Sequence, residues 1–580
     1  MIQLYDTTLR DGSQREGVSL TVVDKLRIAE RLGELGINFI EGGYPASNHR
    51  DREFYERAKT LARQGGFGKS EFVAFGTTVR KGLPVAQDAA LATLASSPAP
   101  IVTLVGKAWA RQVKTVLAAS REENLDMVAS SIAFLRQAKK RVFFDAEHFF
   151  DGYYEDAAFA LEVVQTAARA GAEAVVLCDT NGGMLPFRVH EATAAVIAAF
   201  STDEFSQVVV GIHAHNDSGC AIANSLEAVR AGARQVQGTV NGYGERVGNA
   251  DLLALIADLQ LKMGYDLITP EQLRLLTPTA RVVAGIFNIA FDPHLPYVGS
   301  SAFSHKGGLH ASAALRQHDT YEHIDPAAVG NFSRIVISEL AGKAALRAKA
   351  QSFGLALPAD ERTTQELLDL LKAREGAGYS YEVADASLEL LLRDRLGEKA
   401  SFFTLESFRV ISERRPDGVS TSEATIKIHV DGQRFIATAE GNGPVNALDA
   451  ALRMAITRSY PQVEAFELTD YKVRVLDESS GTDAVIRTLI ETSDGQSSWG
   501  TVGVSENVIE ASWDALVDAI TYGLFAAGGA GEGEVGGAGE GEVAAAPAAA
   551  PAAAPHAAAL PAPAPRDAAP RDAAPHGEGT

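Results

Sequence analysis

Cysteine is nearly absent: the 580 residues hold two, Cys178 and Cys220. That excludes a disulfide framework and any cysteine-rich zinc module. Positive charge is also short. Lys plus Arg number 53 against 74 for Asp plus Glu, a formal net charge of −21. Nucleic acid and anionic membranes present like charge to such a chain and are excluded as general partners. A small anionic substrate is not, because it feels only the local field. No run of 18 strongly apolar residues occurs, so no transmembrane helix is expected. The opening MIQLYDTTLRDG has an acid at Asp6 and no apolar core, so no signal peptide is expected and the cytoplasm is the default location.

Present instead is a recurring unit. Short β-branched runs alternate with polar turns and helical segments. The runs are Ile2–Thr7, Ile37–Glu41, Phe72–Thr77, Ile101–Val105, Val142–Asp145, Ala174–Cys178, Val208–His213 and Gln235–Thr239. Val22, Leu26, Ala29, Leu32 and Leu35 fall on one helical face between the first two. Eight strands and eight helices in roughly 250 residues predict an α/β fold of the (β/α)8 TIM-barrel type, here over 1–263. A doubly wound sheet would want a Gly-rich phosphate turn after strand one, and TLRDGSQ is not one.

Residues 264–400 read as a helical linker subdomain. Residues 401–525 then change to strand-like alternation, and two βββα units appear. Their helices, GNGPVNALDAALRMAI and GVSENVIEASWDALVDAI, occupy matching places. A duplicated α+β module without a catalytic constellation suggests a regulatory or dimerisation domain. Residues 526–580 are Gly, Ala, Pro and Glu with no aromatic residue, and are expected to be disordered.

In a barrel the chemistry sits where strands end. Strand one is followed by Arg10, Asp11 and, further on, Gln14; strand five by Glu147; strand six by Thr180. Strand seven ends HAHND, and after strand eight comes NGYGERVGN. His213 and His215 are two apart on a strand, so both imidazoles leave on one face. With Asp11, and Asn249 as an amide oxygen, they suit a divalent metal of unfixed identity: Zn, Mn, Co or Mg. Arg10 either stabilises developing negative charge or closes a salt bridge at the mouth. Glu147 is its ion-pair partner or a proton carrier. Thr180 offers a hydroxyl to a substrate carboxylate or caps its strand. His310 and Tyr321 reach the mouth only if the linker folds back over it.

Together, DTTLRDGSQ, HAHNDSG with NGYGERVGNADL, and FSHKGGLHAS with YEHIDP resemble the DRE-TIM metallolyase superfamily, and within it the 2-isopropylmalate, homocitrate and citramalate synthases. The resemblance covers about residues 1–525. EGGYPASN and FDAEHFFDGY are most similar to one citramalate branch, with Tyr44 where isopropylmalate enzymes more usually carry Phe.

The resemblance implies an acyltransferase. Acetyl-CoA would add to the ketone of pyruvate, and the thioester would then be hydrolysed to citramalate and CoA. It implies a metal on Asp11, His213, His215 and Asn249, and substrate contacts from Arg10, Gln14 and Thr180. Acid–base work would fall to Glu147, and to His310 with Tyr321 from a partner subunit's linker. It further implies a homodimer and inhibition by an amino acid, with isoleucine the expected effector. Rival readings are a 2-isopropylmalate synthase using 2-oxoisovalerate and an HMG-CoA-lyase-like C–C lyase. The lyases carry a cysteine in the loop that reads GYGERVGN here, and this one has none.

Overall fold

The first strand, β1 (Gln3–Asp6), pairs in parallel with the last of eight, and the sheet closes on itself. The others are β2 (Phe39–Gly43), β3 (Glu71–Thr77), β4 (Ile101–Lys107), β5 (Arg141–Glu147), β6 (Ala174–Asp179), β7 (Val209–Ala214) and β8 (Gln235–Gly238). Every neighbour pair is parallel and consecutive around the barrel. The computed structural model describes residues 2–305, 320–336, 342–399, 401–414, 416, 418, 420–476, 484–495 and 497–529. Residues 1–525 cluster as one unit and 526–580 as another.

Local chemistry explains where the elements start and stop. The helix α1 (Val22–Leu35) opens on a capping box of Thr21 and Asp24 and closes on Gly36 at φ 89°. It turns Ile28, Leu32 and Leu35 inward, all fully buried. The main core lies between helices and barrel and runs without a break around the ring. A smaller plug of Tyr5, Phe39, Val73, Ile101, Phe143 and Ala174 fills the barrel near the N-terminal ends of its strands. Strand periodicity puts the residues two further on above that plug. Four of these six are polar and buried: Thr7, Glu41, Thr103 and Asp145. The barrel interior is therefore apolar at its base and charged towards its mouth.

Beyond the barrel, the helix Leu276–Phe287 packs back on α1. Two short strands, β9 (Ser304–His305) and β10 (Arg334–Ile335), pair in parallel. Helices Lys343–Ser352, Glu361–Gly376 and Asp385–Leu396 build a small core through Leu346, Leu368 and Leu388. Then come two antiparallel meanders. The first is β11 (Phe403–Arg414), β12 (Ser420–Val430) and β13 (Gln433–Gly441). The second is β14 (Glu467–Val475), β15 (Ile486–Ser493) and β16 (Ser498–Ser505). Each is followed by a helix, Pro444–Ile456 and Val508–Gly529. The two repeats share one core, in which Leu448 and Leu452 of the first cluster with Trp513 and Leu516 of the second. The last helix runs to Gly529, four residues into the segment expected to be disordered. The rest of that segment, 530–580, lies outside the described residues, as does His310.

Candidate active site

Three ligand-type side chains meet at the barrel mouth. Asp11 stands just beyond β1, His213 lies on β7, and His215 follows it. Asp11 Oδ2 is 3.2 Å from His213 Nε2 and 3.8 Å from His215 Nε2. The two Nε2 atoms are 3.3 Å apart. Among the described residues this buried trio is the one His, Cys, Asp or Glu cluster spaced to hold a metal ion. Burial alone would push the Asp11 carboxyl up. Arg10, His213 and His215 outweigh it and hold the group well below the usual carboxylate range. Burial, then its neighbour His213, pushes His215 down to about 4.

Asn249 joins them through the fold of the loop after β8. Asn216 N donates to Gly248 O (2.9 Å) and Ala250 N to Ala214 O (2.9 Å), so the loop lies along the end of β7. Gly248, at φ 102°, makes the turn that a side chain would strain. The Asn249 amide then sits 3.0 Å from Asp11 Oδ2 and 3.2 Å from His213 Nε2. Its Oδ1 is buried without a hydrogen-bond partner. An amide's two ends are interchangeable by rotation. Turned over, this one offers its orphaned oxygen to the space that Asp11 and the two imidazoles surround. That donor set of one carboxylate, two imidazoles and one amide oxygen fits a divalent ion.

Asn249 has no slack on its other side. A Cβ on Gly244 would come 1.9 Å from Asn249 Oδ1. Gly244→Ala is therefore expected to push the amide off its place. Mn2+ affinity, read by calorimetric titration of the metal-free protein, should fall by about tenfold or more. An unchanged affinity would remove Asn249 from the ligand set.

Arg10 borders the trio, with Nη1 3.5 Å from Asp11 Oδ2. It is held on three sides. Its Nε donates to Glu41, its guanidinium lies 4.0 Å above the Phe75 ring, and Asp11 takes the third. Glu41 is in turn fixed by the Tyr5 hydroxyl, which donates to Oε2 at 2.5 Å. Burial works against the Arg10 charge, but Glu41 and Asp11 overcome it and keep the group firmly protonated. Gln14 and Arg10 line a cleft of about 850 Å³ between the loops after β1 and β2. Tyr44, packed edge-on against Phe75 at 6.0 Å, lines the same cleft.

Glu147, at the end of β5, pairs with Lys107 of β4 and not with Arg10. The Thr180 hydroxyl accepts the His148 amide at 2.9 Å, which leaves its own proton to donate. Arg246 ties this side together by a two-pronged pair with Asp217 (2.7 and 2.9 Å) and a bond to Thr180 O (2.9 Å). Tyr321 lies in the linker, where its ring packs edge-on to His305 at 6.4 Å. Glu41, Asp145 and Gln237 also face the barrel interior, and no role for them is read from the sequence. Glu41 and Asp145 are acids directly after the apolar pairs Phe39-Ile40 and Phe143-Phe144, whereas Gln237 in QVQG carries no such contrast.

Residues 1–282 match the HMGL-like family model, 297–375 the homocitrate synthase post-HMGL domain-like model, and 382–524 the LeuA allosteric (dimerisation) domain. The chain is 49% identical to an (R)-citramalate synthase of Streptomyces coelicolor over 526 residues, or 90% of this chain and 97% of that one. It is 48% identical to an (R)-citramalate synthase of Aquifex aeolicus over 524 residues, 90% of this chain and 98% of that one. A probable 2-isopropylmalate synthase of Methanopyrus kandleri is 32% identical over 90% of this chain and 97% of its own length.

Proposed function

The chain belongs to the citramalate synthase family of acyl-transferring enzymes, and from that premise we propose that it joins acetyl-CoA to pyruvate and releases (R)-citramalate and CoA. The observation that carries this reading is the buried Asp11–His213–His215 trio beside a locked Arg10. A 2-oxo acid has a ketone and a carboxylate on adjacent carbons, and this mouth has groups for both.

Asp11, His213, His215 and Asn249 would hold the divalent ion, which when bound supplies Lewis-acid polarisation of the ketone. Arg10 puts a fixed positive charge where the ketone oxygen gains electrons. Glu41 and Phe75 hold that charge in place beforehand, so it need not reorganise as the reaction proceeds. The Thr180 hydroxyl donates to the substrate carboxylate. Acetyl-CoA lies along the cleft that Gln14 and Tyr44 line, with its methyl towards Arg10. Glu147, its charge balanced by Lys107, orients substrate and relays protons at the mouth. His310 with Tyr321 of a partner's linker takes the methyl proton. A C–C bond then forms between that carbon and the ketone carbon, the ketone oxygen takes a proton, and water cleaves the thioester.

In this reading the barrel and the linker carry catalysis. The duplicated C-terminal module, matching a LeuA allosteric (dimerisation) domain, pairs two chains and binds isoleucine as feedback inhibitor. Coupling of this kind is typically about 1–3 kcal/mol. No helix among the described residues is long and apolar enough to cross a membrane, and residence in the cytoplasm is part of the same proposal.

The test is CoA-thiol release from acetyl-CoA with Mn2+, offering pyruvate, 2-oxobutyrate, 2-oxoisovalerate and 2-oxoglutarate singly. Pyruvate is expected to exceed the others by an order of magnitude or more, since one or two methyl groups are worth about 1–3 kcal/mol in a pocket. Preference for 2-oxoisovalerate would make the enzyme an isopropylmalate synthase. Release with none of them would end the condensation reading.

A further inference from the structure

Beneath the trio runs a buried polar chain that the reaction above does not use. His213 on β7 and Gln237 on β8 are register partners, so their side chains lie together inside the barrel. His213 Nδ1 is 2.9 Å from Gln237 Oε1, and Gln237 Nε2 donates to Asp145 Oδ1 of β5 at 3.3 Å. Asp145 and Gln237 are both buried, Gln237 completely. The chain thus crosses the barrel interior from β5 to β7.

Its polarity has one consistent sense. A neutral imidazole has one N–H and one bare nitrogen, and an amide has one accepting and one donating end. A carboxylate only accepts, so Asp145 draws the NH2 end of Gln237. The oxygen end then faces His213 and requires a proton on Nδ1. That leaves Nε2 bare, the nitrogen that lies 3.2 Å from Asp11 Oδ2 and 3.3 Å from His215 Nε2. With the amide reversed, its NH2 would face Nδ1, and the imidazole proton would move to Nε2 and occupy the metal-facing position. His215 has no such support, because its Nδ1 is buried without a hydrogen-bond partner. Of the two imidazoles, one is set and one is not.

We propose that Asp145 and Gln237 are positioning residues, a polar lock that fixes the tautomer of His213 and so presents its Nε2 to a divalent ion. This rests on the metal reading of the site. Outer partners of metal-bound histidines are typically worth about 10- to 100-fold in affinity. Asp145→Leu and Gln237→Leu are each expected to weaken Mn2+ by that factor. The decisive variant exchanges the roles. In Asp145→Asn/Gln237→Glu the carboxylate stands at 237 and accepts from His213 Nδ1, while the amide at 145 donates to it. The bond between 145 and 237 then runs the other way, but the acceptor facing Nδ1 and the total charge are preserved, and affinity should return to within about threefold of the parent.

The experiment is titration of the metal-free full-length protein with Mn2+ at pH 8, counting free Mn2+ by electron paramagnetic resonance. No substrate or turnover is involved. Single variants that bind as tightly as the parent would overturn the lock. So would an exchange variant as weak as the singles, since side chains of the right size without a set tautomer would then account for nothing. Where the leucine variants do not fold, the exchange variant decides alone: affinity kept supports the lock, and affinity lost refutes it. A parent protein that binds no Mn2+ would sink the metal reading beneath it, an outcome distinct from failure of the lock.

Discussion

Asp11→Ala is expected to reduce CoA release from acetyl-CoA and pyruvate by three or more decades while leaving the barrel folded. Asp11 is the one anion among the four ligands, and it touches both imidazoles and Arg10. Its removal takes the negative charge from the ligand set and leaves two neutral imidazoles and an amide, a weak set for a hard divalent ion. Lewis-acid polarisation is worth several kcal/mol. At about 1.4 kcal/mol per tenfold that is three decades or more. The fold should survive. Arg10 keeps Glu41, and His213 and His215 can lie neutral in the space they already share. Thermal unfolding and far-ultraviolet circular dichroism check the fold, and thiol release at saturating Mn2+ checks the rate. His213→Ala is expected to match it. Activity within tenfold of the parent in either variant would remove the metal from the mechanism.

Why Asp11 could be picked out and Glu41 could not is a matter of strand geometry. Asp11, His215 and Asn249 stand past the ends of β-branched runs, and His213 stands at the end of one. A barrel puts such positions at its mouth. Inside the strands the pattern is silent. Parallel barrel strands are covered on both faces and read as nearly continuous apolar runs, so the phase that faces inward is hidden. Contacts in the structure set it: Phe39 and Phe143 cluster inside the barrel, and Glu41, Asp145 and Gln237 make hydrogen bonds across it. The polar layer of Glu41, Asp145 and Gln237 follows from that phase alone. Asn249 was readable as a residue type, but its approach to His215 depends on left-handed turns at Gly242 and Gly248. The sequence leaves Glu147 as an ion-pair partner for Arg10 or a proton carrier, and only the pairing is addressed by the structure. In the structure Lys107 takes that place, because residues 107 and 147 are register partners on adjacent strands.

Glu41→Ala is expected to damage stability and rate together, which distinguishes it from Asp11→Ala. Glu41 is completely buried and carries two obligations, the Arg10 guanidinium and the Tyr5 hydroxyl. Removing one member of a buried ion pair strands the other, at a cost of about 3–5 kcal/mol. Tyr5 keeps a bond to Thr103 Oγ1 at 2.8 Å and bears less of the loss. Arg10 keeps Asp11 at 3.5 Å and the face of Phe75, and it is drawn towards the trio as the nearest remaining anion. There it competes with the ion for the Asp11 carboxylate. Mn2+ affinity and kcat should therefore both fall, the latter by about 10²–10³-fold, the scale of losing one preorganised donor to a developing oxyanion. Glu41→Gln separates the two obligations. The amide oxygen still accepts from Arg10, and the NH2 end can donate to the Tyr5 hydroxyl, which turns its own proton to Thr103 Oγ1, so stability should largely return. The missing charge leaves Arg10 biased towards Asp11, so kcat should not. Denaturant midpoints and kcat at saturating Mn2+ measure the two effects. Full recovery of kcat in Glu41→Gln would mean that Arg10 needs only a scaffold; recovery of stability alone would mean that it needs the counter-charge.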